Sequence, residues 1–197
     1  MEARVEDPVE LADALHGRVL PLVGKPARYL GGELGAIPGD RWRPGGVNVL
    51  LCFPDAYEVG MSHTGLRVLY SLLNARDDTF CDLAFAPWPD MEAALRREGV
   101  PLYGLQSRRP ARQFDVIGFS LGYELGYTNV LTMLDLAGIP FAAAERDETH
   151  PLVIAGGPAC FNPEPVAGIF DAILIGDGEE AAPEICRHVR ETARTGA

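Results

Sequence analysis

The sequence predicts an α/β fold: a doubly wound, mainly parallel five-stranded sheet of flavodoxin-like or Rossmann-like type, preceded by an N-terminal arm. Two observations carry this. First, one unit recurs four times: an apolar strand, a glycine- or proline-marked loop, then a helix. The strands are Val47–Phe53, Asp115–Ser120, Leu152–Ala155 and Asp171–Ile175, and the loops that follow them begin at Pro54, Leu121, Gly156 and Gly176. Such units build parallel sheets, and their loops gather at the carboxyl edge, where open α/β sheets bind ligands. Second, a fifth apolar stretch, Phe80–Ala86, is closed by Pro87-Trp88-Pro89 and leads into another helix. Five strands suit the flavodoxin-like order, though strand order is not written in a sequence.

Along the chain, residues 1–45 form a Gly- and Pro-dense helix and arm, and residues 46–197 the α/β domain. Asp7 before Pro8 is a helix start, and Leu11, Leu15 and Val19 give that helix an apolar face ending near Pro21. Lys25 to Glu33 reads as an arm draped over the domain, packing rather than binding. A helix from Thr64 to Ala75 places Leu66, Leu69, Tyr70 and Leu73 on one face. Asp90 caps a helix through Glu98, and Pro101–Leu105 is a short extended piece. The basic turn Ser107–Arg112 reads as a solvated loop at the edge opposite the ligand loops, with docking as its second reading. A helix from Glu124 to Ala137 stops at Gly138, and a last one runs from Glu179 to about Thr192. Leu152–Ala155 and Ala172–Ile175 are wholly apolar, as buried parallel strands should be.

Composition narrows the function. The chain has 197 residues, 47% of them hydrophobic, enough to bury roughly 70% of its unfolded surface without disulfides. Its 17 Lys and Arg against 28 Asp and Glu leave a net charge of −11, which repels a phosphate backbone and argues against nucleic acid. The four cysteines, Cys52, Cys81, Cys160 and Cys186, are scattered beyond zinc or iron–sulfur spacing and read as reduced thiols. There is neither a basic, apolar leader nor a membrane-length apolar run, so the expected location is cytoplasmic and no membrane partner is expected.

Several ligand modes of this architecture fail on residue type. A flavin-phosphate loop after the first strand is rich in Ser, Thr and Gly, whereas here it carries Asp55 and Glu58. A phosphoacceptor domain needs an Asp after strand three and a Lys after strand five, where this chain has Ser120 and Gly176-Asp177-Gly178. The Gly-x-Gly-x-x-Ala of Gly176 to Ala181 follows the last strand rather than the first, and no Gly-x-x-x-x-Gly-Lys-Ser/Thr occurs. What remains is a neutral-to-acidic ledge whose glycines either admit a large ligand to the backbone or serve tight turns; both readings stand.

In order along the chain, Asp115-Val116-Ile117-Gly118-Phe119-Ser120, Ile154-Ala155-Gly156-Gly157-Pro158 and Ile175-Gly176-Asp177-Gly178-Glu179-Glu180 resemble the cobalamin-binding-type domain that precedes the barrel in many radical S-adenosylmethionine (radical SAM) proteins. Phe53 to His63, Ala86 to Glu92 and Tyr127 to Leu131 bring it closer to an uncharacterised subgroup of these proteins. The resemblance spans about residues 25 to 190. It implies a corrinoid (cobalamin) at the carboxyl edge, contacted at Met61, Ser62, His63, Ser120, Gly156, Gly157, Pro158, Gly176, Gly178 and Glu179, and a radical SAM barrel as partner in cis or in trans.

Two departures qualify it. The Asp-x-His-x-x-Gly signature, whose His would ligate cobalt, is absent, and none of His16, His63, His150 and His188 sits in it. His63, following the candidate cap Ser62, has two readings: a contact to cobalt or the corrin rim, or a first-turn residue pairing with Glu58 or the backbone. Glu124 and Glu179 read as helix-start charges, and Tyr123 and Tyr127 as an aromatic wall or as core. The Cys-x-x-x-Cys-x-x-Cys run that holds a four-iron four-sulfur cluster is also absent, so cluster and S-adenosylmethionine belong to a barrel expected after residue 197. The alternative reading is a cofactor-free docking platform or lid for that barrel; a flavin or nucleotide sensor is the third.

Overall fold

The computed structural model describes residues 5–195. The first helix, α1 (Pro8–Ala14), starts as expected: Asp7 Oδ1 accepts from the amides of Val9 and Glu10, and Pro8 occupies the first turn. It continues through a wider turn, Leu15–Val19, and ends in a tight one, Leu20–Leu22.

Five strands follow: β1 (Val47–Phe53), β2 (Thr79–Phe85), β3 (Val116–Ser120), β4 (Leu152–Gly156) and β5 (Ala172–Leu174). All pair in parallel, in the order β2-β1-β3-β4-β5. The fold is therefore the flavodoxin-like doubly wound α/β architecture, with its switch point between β1 and β3, where successive crossovers leave in opposite directions.

Five more helices, α2 (Tyr57–Ser62), α3 (Thr64–Asn74), α4 (Pro89–Arg97), α5 (Tyr127–Ala137) and α6 (Gly178–Thr195), complete the chain. One sheet face carries Leu50, Cys52, Phe80, Ile117, Phe119 and Val153, and packs with residues of α1, α4, α5 and the arm in one core. The other carries Val49, Leu51, Cys81, Leu83 and Val116, under Leu66 and Leu73 of α3 and Cys186 of α6. Alternation of side chains along each strand divides the two sets.

No α-helix lies between β4 and β5; the connection makes only the short turns Pro158–Phe161 and Glu164–Val166. This corrects the expectation of a helix after the loop that follows Leu152–Ala155, and the last strands are not fully buried either. In β4, Val153 and Ala155 are buried, whereas Leu152, Ile154 and Gly156 are half-exposed, because α3 and α6 leave that end of the second face uncovered; Ala172 of β5 is exposed.

Three local expectations change as well. The α4 cap position is Trp88, with Pro89 in the first turn, and Asp90 instead accepts from Gly24 N at 2.9 Å, tying the arm down. The helix expected from Glu124 begins as a tight turn, Glu124–Gly126, before α5 proper, and Gly138 ends α5 at φ 73°. The basic turn is not a solvated loop: Arg108 donates to the carbonyls of Leu105 and Leu30, Arg109 lies 4.3 Å over the Trp42 ring, and Arg112 pairs with Glu6. The arm itself is packed. Tyr29 is buried with its hydroxyl accepting from Trp88 N, and Arg28 pairs with Glu58 at 2.7 Å.

The β4–β5 margin depends on Arg146, whose side chain is 3% exposed. It pairs with Asp171 at 2.9 Å and donates to the carbonyls of Pro140 and Ile169, while Asp171 Oδ2 accepts from Val153 N at 2.7 Å. Arg146→Met strips donors from these carbonyls, but Asp171 keeps its backbone partner. Urea unfolding is expected to show a loss of about 2 kcal/mol.

Candidate functional site

The carboxyl-edge loops are stapled to one another. After β1, Asp55 Oδ1 accepts from Ala56 N at 2.6 Å, its other oxygen accepts from the Tyr123 hydroxyl, and Asn129 Nδ2 donates to Pro54 O at 2.9 Å. The bond to Asp55 is the main reason the Tyr123 hydroxyl titrates above its ordinary range. Both carboxylates of this loop are thereby engaged, Glu58 with Arg28. After β3, Leu121 N donates to Gly156 O at 2.8 Å and Leu121 O accepts from Ala159 N at 3.0 Å.

The loops after β4 and β5, together with α3 and α6, surround a cleft of about 310 Å³. Its floor includes the register row Leu51, Gly118 and Ile154 across β1, β3 and β4, with Gly156 and Leu174 one step nearer the edge. It therefore opens beside the switch point. His63, Gly65 and Leu69 form the α3 wall, and Gly178, Glu179, Ala182 and Ile185 the α6 wall. Ser120, Pro158, Phe161, Gly176 and Asp177 complete the lining. Room for roughly ten waters lies at the low end for small-molecule pockets. The concavity comes from missing side chains: Gly118 and Gly156 interrupt an otherwise apolar face.

Eight of the ten residues expected at the edge line this cleft: His63, Ser120, Gly156, Gly157, Pro158, Gly176, Gly178 and Glu179. Met61 and Ser62 do not. The loop after β1 winds into α2, which presses so closely on β2 that a Cβ at Gly60 would lie 2.3 Å from the Phe85 ring. This turns Met61 into a separate cleft beside Glu33 and Ile37 of the arm, and Ser62 Oγ back onto Glu58 O at 2.7 Å.

Ser62 is not the cap of α3 either; His63 is. Its Nδ1 accepts from Leu66 N at 3.2 Å, and its ring packs 5.0 Å from that of Phe53. A ring nitrogen that accepts an amide hydrogen carries no proton, so the ring proton sits on Nε2. His63 can then donate from Nε2 to a ligand in the cleft, but it holds no lone pair there for a metal. Tyr127, also half-buried, donates to Ala159 O at 3.4 Å and packs against the core. Glu179 lies in the first turn of α6. Pro183 within α6 has no amide hydrogen to return to the Glu179 carbonyl.

The apolar wall residues Leu69, Ala182 and Ile185, and the floor residues Leu51, Gly118, Ile154 and Leu174, escape sequence reasoning. Gly118, a glycine in mid-strand, was the available signal. Large apolar side chains ring the same edge in solvent: Leu125 is 83% exposed, Phe161 73% and Ile175 56%. Among the described residues no group of three or more His, Cys, Asp or Glu could hold a metal ion, and all four cysteines are buried, with burial raising the thiol pKa of each. The cleft offers shape, an apolar floor and a few hydrogen-bond donors.

In architecture the chain is an α/β domain with an apolar, glycine-floored cleft at the carboxyl edge of its parallel sheet. Residues 65–197 match the family model described as radical SAM proteins, N-terminal, and the chain belongs to that family. No curated protein matches it. Membership associates the chain with a radical SAM domain, and among the described residues no helix is long and apolar enough to cross a membrane.

Proposed function

We propose that this chain is the cobalamin-binding-type N-terminal domain of a radical SAM protein, holding a corrinoid at the carboxyl edge beside the barrel. One observation carries the reading: eight residues chosen by resemblance, dispersed over the sequence from His63 to Glu179, converge on one cleft. Its glycine floor suits close approach of part of a flat ring to the backbone, with the remainder of the group lying over the open edge. Gly156, Pro158, Gly176 and Gly178 would contact the group through backbone, and Ser120 and the Nε2–H of His63 would bond its polar rim. His63 does not fit as a cobalt ligand, since its Nδ1 is committed to the Leu66 amide. A corrinoid, when bound, supplies a cobalt centre for group transfer or radical control; the chain's part is to bind it, orient it and exclude water.

The exposed ridge of Leu125, Phe161 and Ile175 around the same edge favours a second reading, a cofactor-free docking or lid domain for the barrel. Hydroxocobalamin mixed with the purified chain and then desalted separates the two. Retained, shifted corrin bands are expected. A bare protein spectrum would remove stand-alone corrinoid binding and favour docking.

A further inference from the structure

A second cleft, of about 380 Å³, opens between α3 and the arm and shares no lining residue with the one at the carboxyl edge. Leu83 of β2, Met61 and Ile37 supply its apolar part, and room for about a dozen waters admits a small organic molecule. Its polar walls carry opposite charge. Arg67, Tyr70 and Ser71 stand at i, i+3 and i+4 on α3, so they share one helix face. Glu33 comes from the arm.

Glu33 is fixed in place without a cation. Its Oε1 accepts from the Tyr57 hydroxyl at 2.9 Å and its Oε2 from Gln106 Nε2 at 2.6 Å, both neutral donors. A carboxylate offers about four lone-pair sites, so roughly two stay open. The turn that presents it is held in turn, Ala36 N donating to Glu33 O at 2.9 Å and Gly32 N to Gln106 Oε1 at 3.0 Å. On the helix wall, the Tyr70 hydroxyl accepts from Ile37 N at 2.7 Å, which leaves its own proton without an acceptor among the described residues. Burial raises that hydroxyl to about 12, so it remains a donor at neutral pH. Among the described residues the exposed Arg67 guanidinium has neither a hydrogen bond nor an ion pair, with Glu33 or with any other acid. An anion and a cation that line one cleft without pairing leave space between them for a molecule that carries both charges.

We propose that this cleft binds an α-amino acid with an apolar side chain. The ammonium group takes the open lone pairs of Glu33, and the carboxylate takes the Arg67 fork and the Tyr70 hydroxyl. The side chain lies on Leu83, Ile37 and Met61, whose flexible thioether adapts to different shapes. A molecule with either charge alone leaves one wall unanswered. The site is separate from the carboxyl edge, so it stands or falls independently of the corrinoid.

The test titrates the full ¹⁵N-labelled chain with L-leucine and L-phenylalanine, then with the amide and the N-acetyl derivative of the tighter one, following the backbone amide signals of Gly35 and Ser71 by NMR. Saturable shifts are expected with at least one of the two amino acids. The amide, which lacks the carboxylate, and the acetyl derivative, which lacks the ammonium, are expected to bind at least about tenfold more weakly. Arg67→Gln, at an exposed position with no partner to lose, should unfold like the parent and bind the amino acid at least about tenfold more weakly, with binding of its amide unchanged. That selectivity separates a ligand contact from a general disturbance. Absence of saturation with both amino acids, binding of either derivative as tight as that of its parent, or unaltered amino-acid binding by Arg67→Gln would overturn the proposal.

Discussion

Replacing Asp82 by alanine is expected to lower the unfolding free energy by about 4 kcal/mol in urea titration. Asp82 is a fully buried carboxylate in the middle of β2. Its Oδ1 accepts from Leu83 N at 2.8 Å and Gln106 N at 3.0 Å, and its Oδ2 from Ser107 N at 2.8 Å. Alanine leaves these amides without an acceptor and opens a void beside Gly104, where a Cβ would come within 2.4 Å of Asp82 Oδ2. The damage extends to the arm, because Gln106 bonds Glu33 at 2.6 Å and Gly32 N at 3.0 Å. Hydrogen exchange should therefore quicken at Gln106, Ser107 and Gly32 together.

Asparagine at the same place keeps one acceptor but sets an amide donor against Ser107 N–H, and is expected to cost about 2 kcal/mol. It also carries a pH signature. Burial raises the Asp82 carboxyl above its ordinary range, against the pull of the Ser107, Gln106 and Leu83 donors. A raised native pKa means that the folded state holds the proton more tightly than the unfolded one. That contribution is complete below the unfolded value near ~3.9 and is lost as pH rises through the native value. Asp82→Asn should lack this downward slope.

Two adjacent glycines are expected to respond in opposite ways. Gly157 sits at φ 108°, ψ 177°, a region essentially closed to other residues, and a Cβ there would lie 2.7 Å from Leu121 O and 3.1 Å from Leu121 N. Leu121 cannot retreat, since its amide and carbonyl bond Gly156 and Ala159. Gly157→Ala should cost about 4 kcal/mol, combining backbone strain with the displaced staple between the β3 and β4 loops. At Gly156 a Cβ meets nothing closer than 3.8 Å, so Gly156→Val should stay within about 1 kcal/mol of the parent while filling the cleft. Of these two glycines, then, Gly157 serves the turn and Gly156 the cavity.

The strands were legible because apolar runs bounded by Gly, Pro and Asp leave few other structures open: Val47–Phe53 matches to the residue. So was the caging of the carboxyl edge by glycine loops, since loops after parallel strands must share one edge. The misplacement of Met61 and Ser62 has a local cause. Six residues containing Gly60 show too little period to reveal α2, and a helix there reverses which side chains meet the sheet. The cleft walls on α3 and α6 were hidden for another reason. Leu69 and Ile185 point to the cleft only because α6 packs beside α3 while no helix covers the same face of β4 and β5, and that is a property of the assembled layers. Asp82 is a lone carboxylate in an apolar strand, but apart from Leu83 N its donors are the amides of Gln106 and Ser107, at the start of a turn that sequence reads as solvated.

The most direct test of the carboxyl-edge cleft as a ligand site is equilibrium dialysis of hydroxocobalamin against the parent chain and Gly156→Val. Saturable binding by the parent and at least tenfold weaker binding by a variant whose unfolding free energy stays within about 1 kcal/mol of the parent's are the predicted results. No binding by the parent, or equal binding by both, would contradict the assignment.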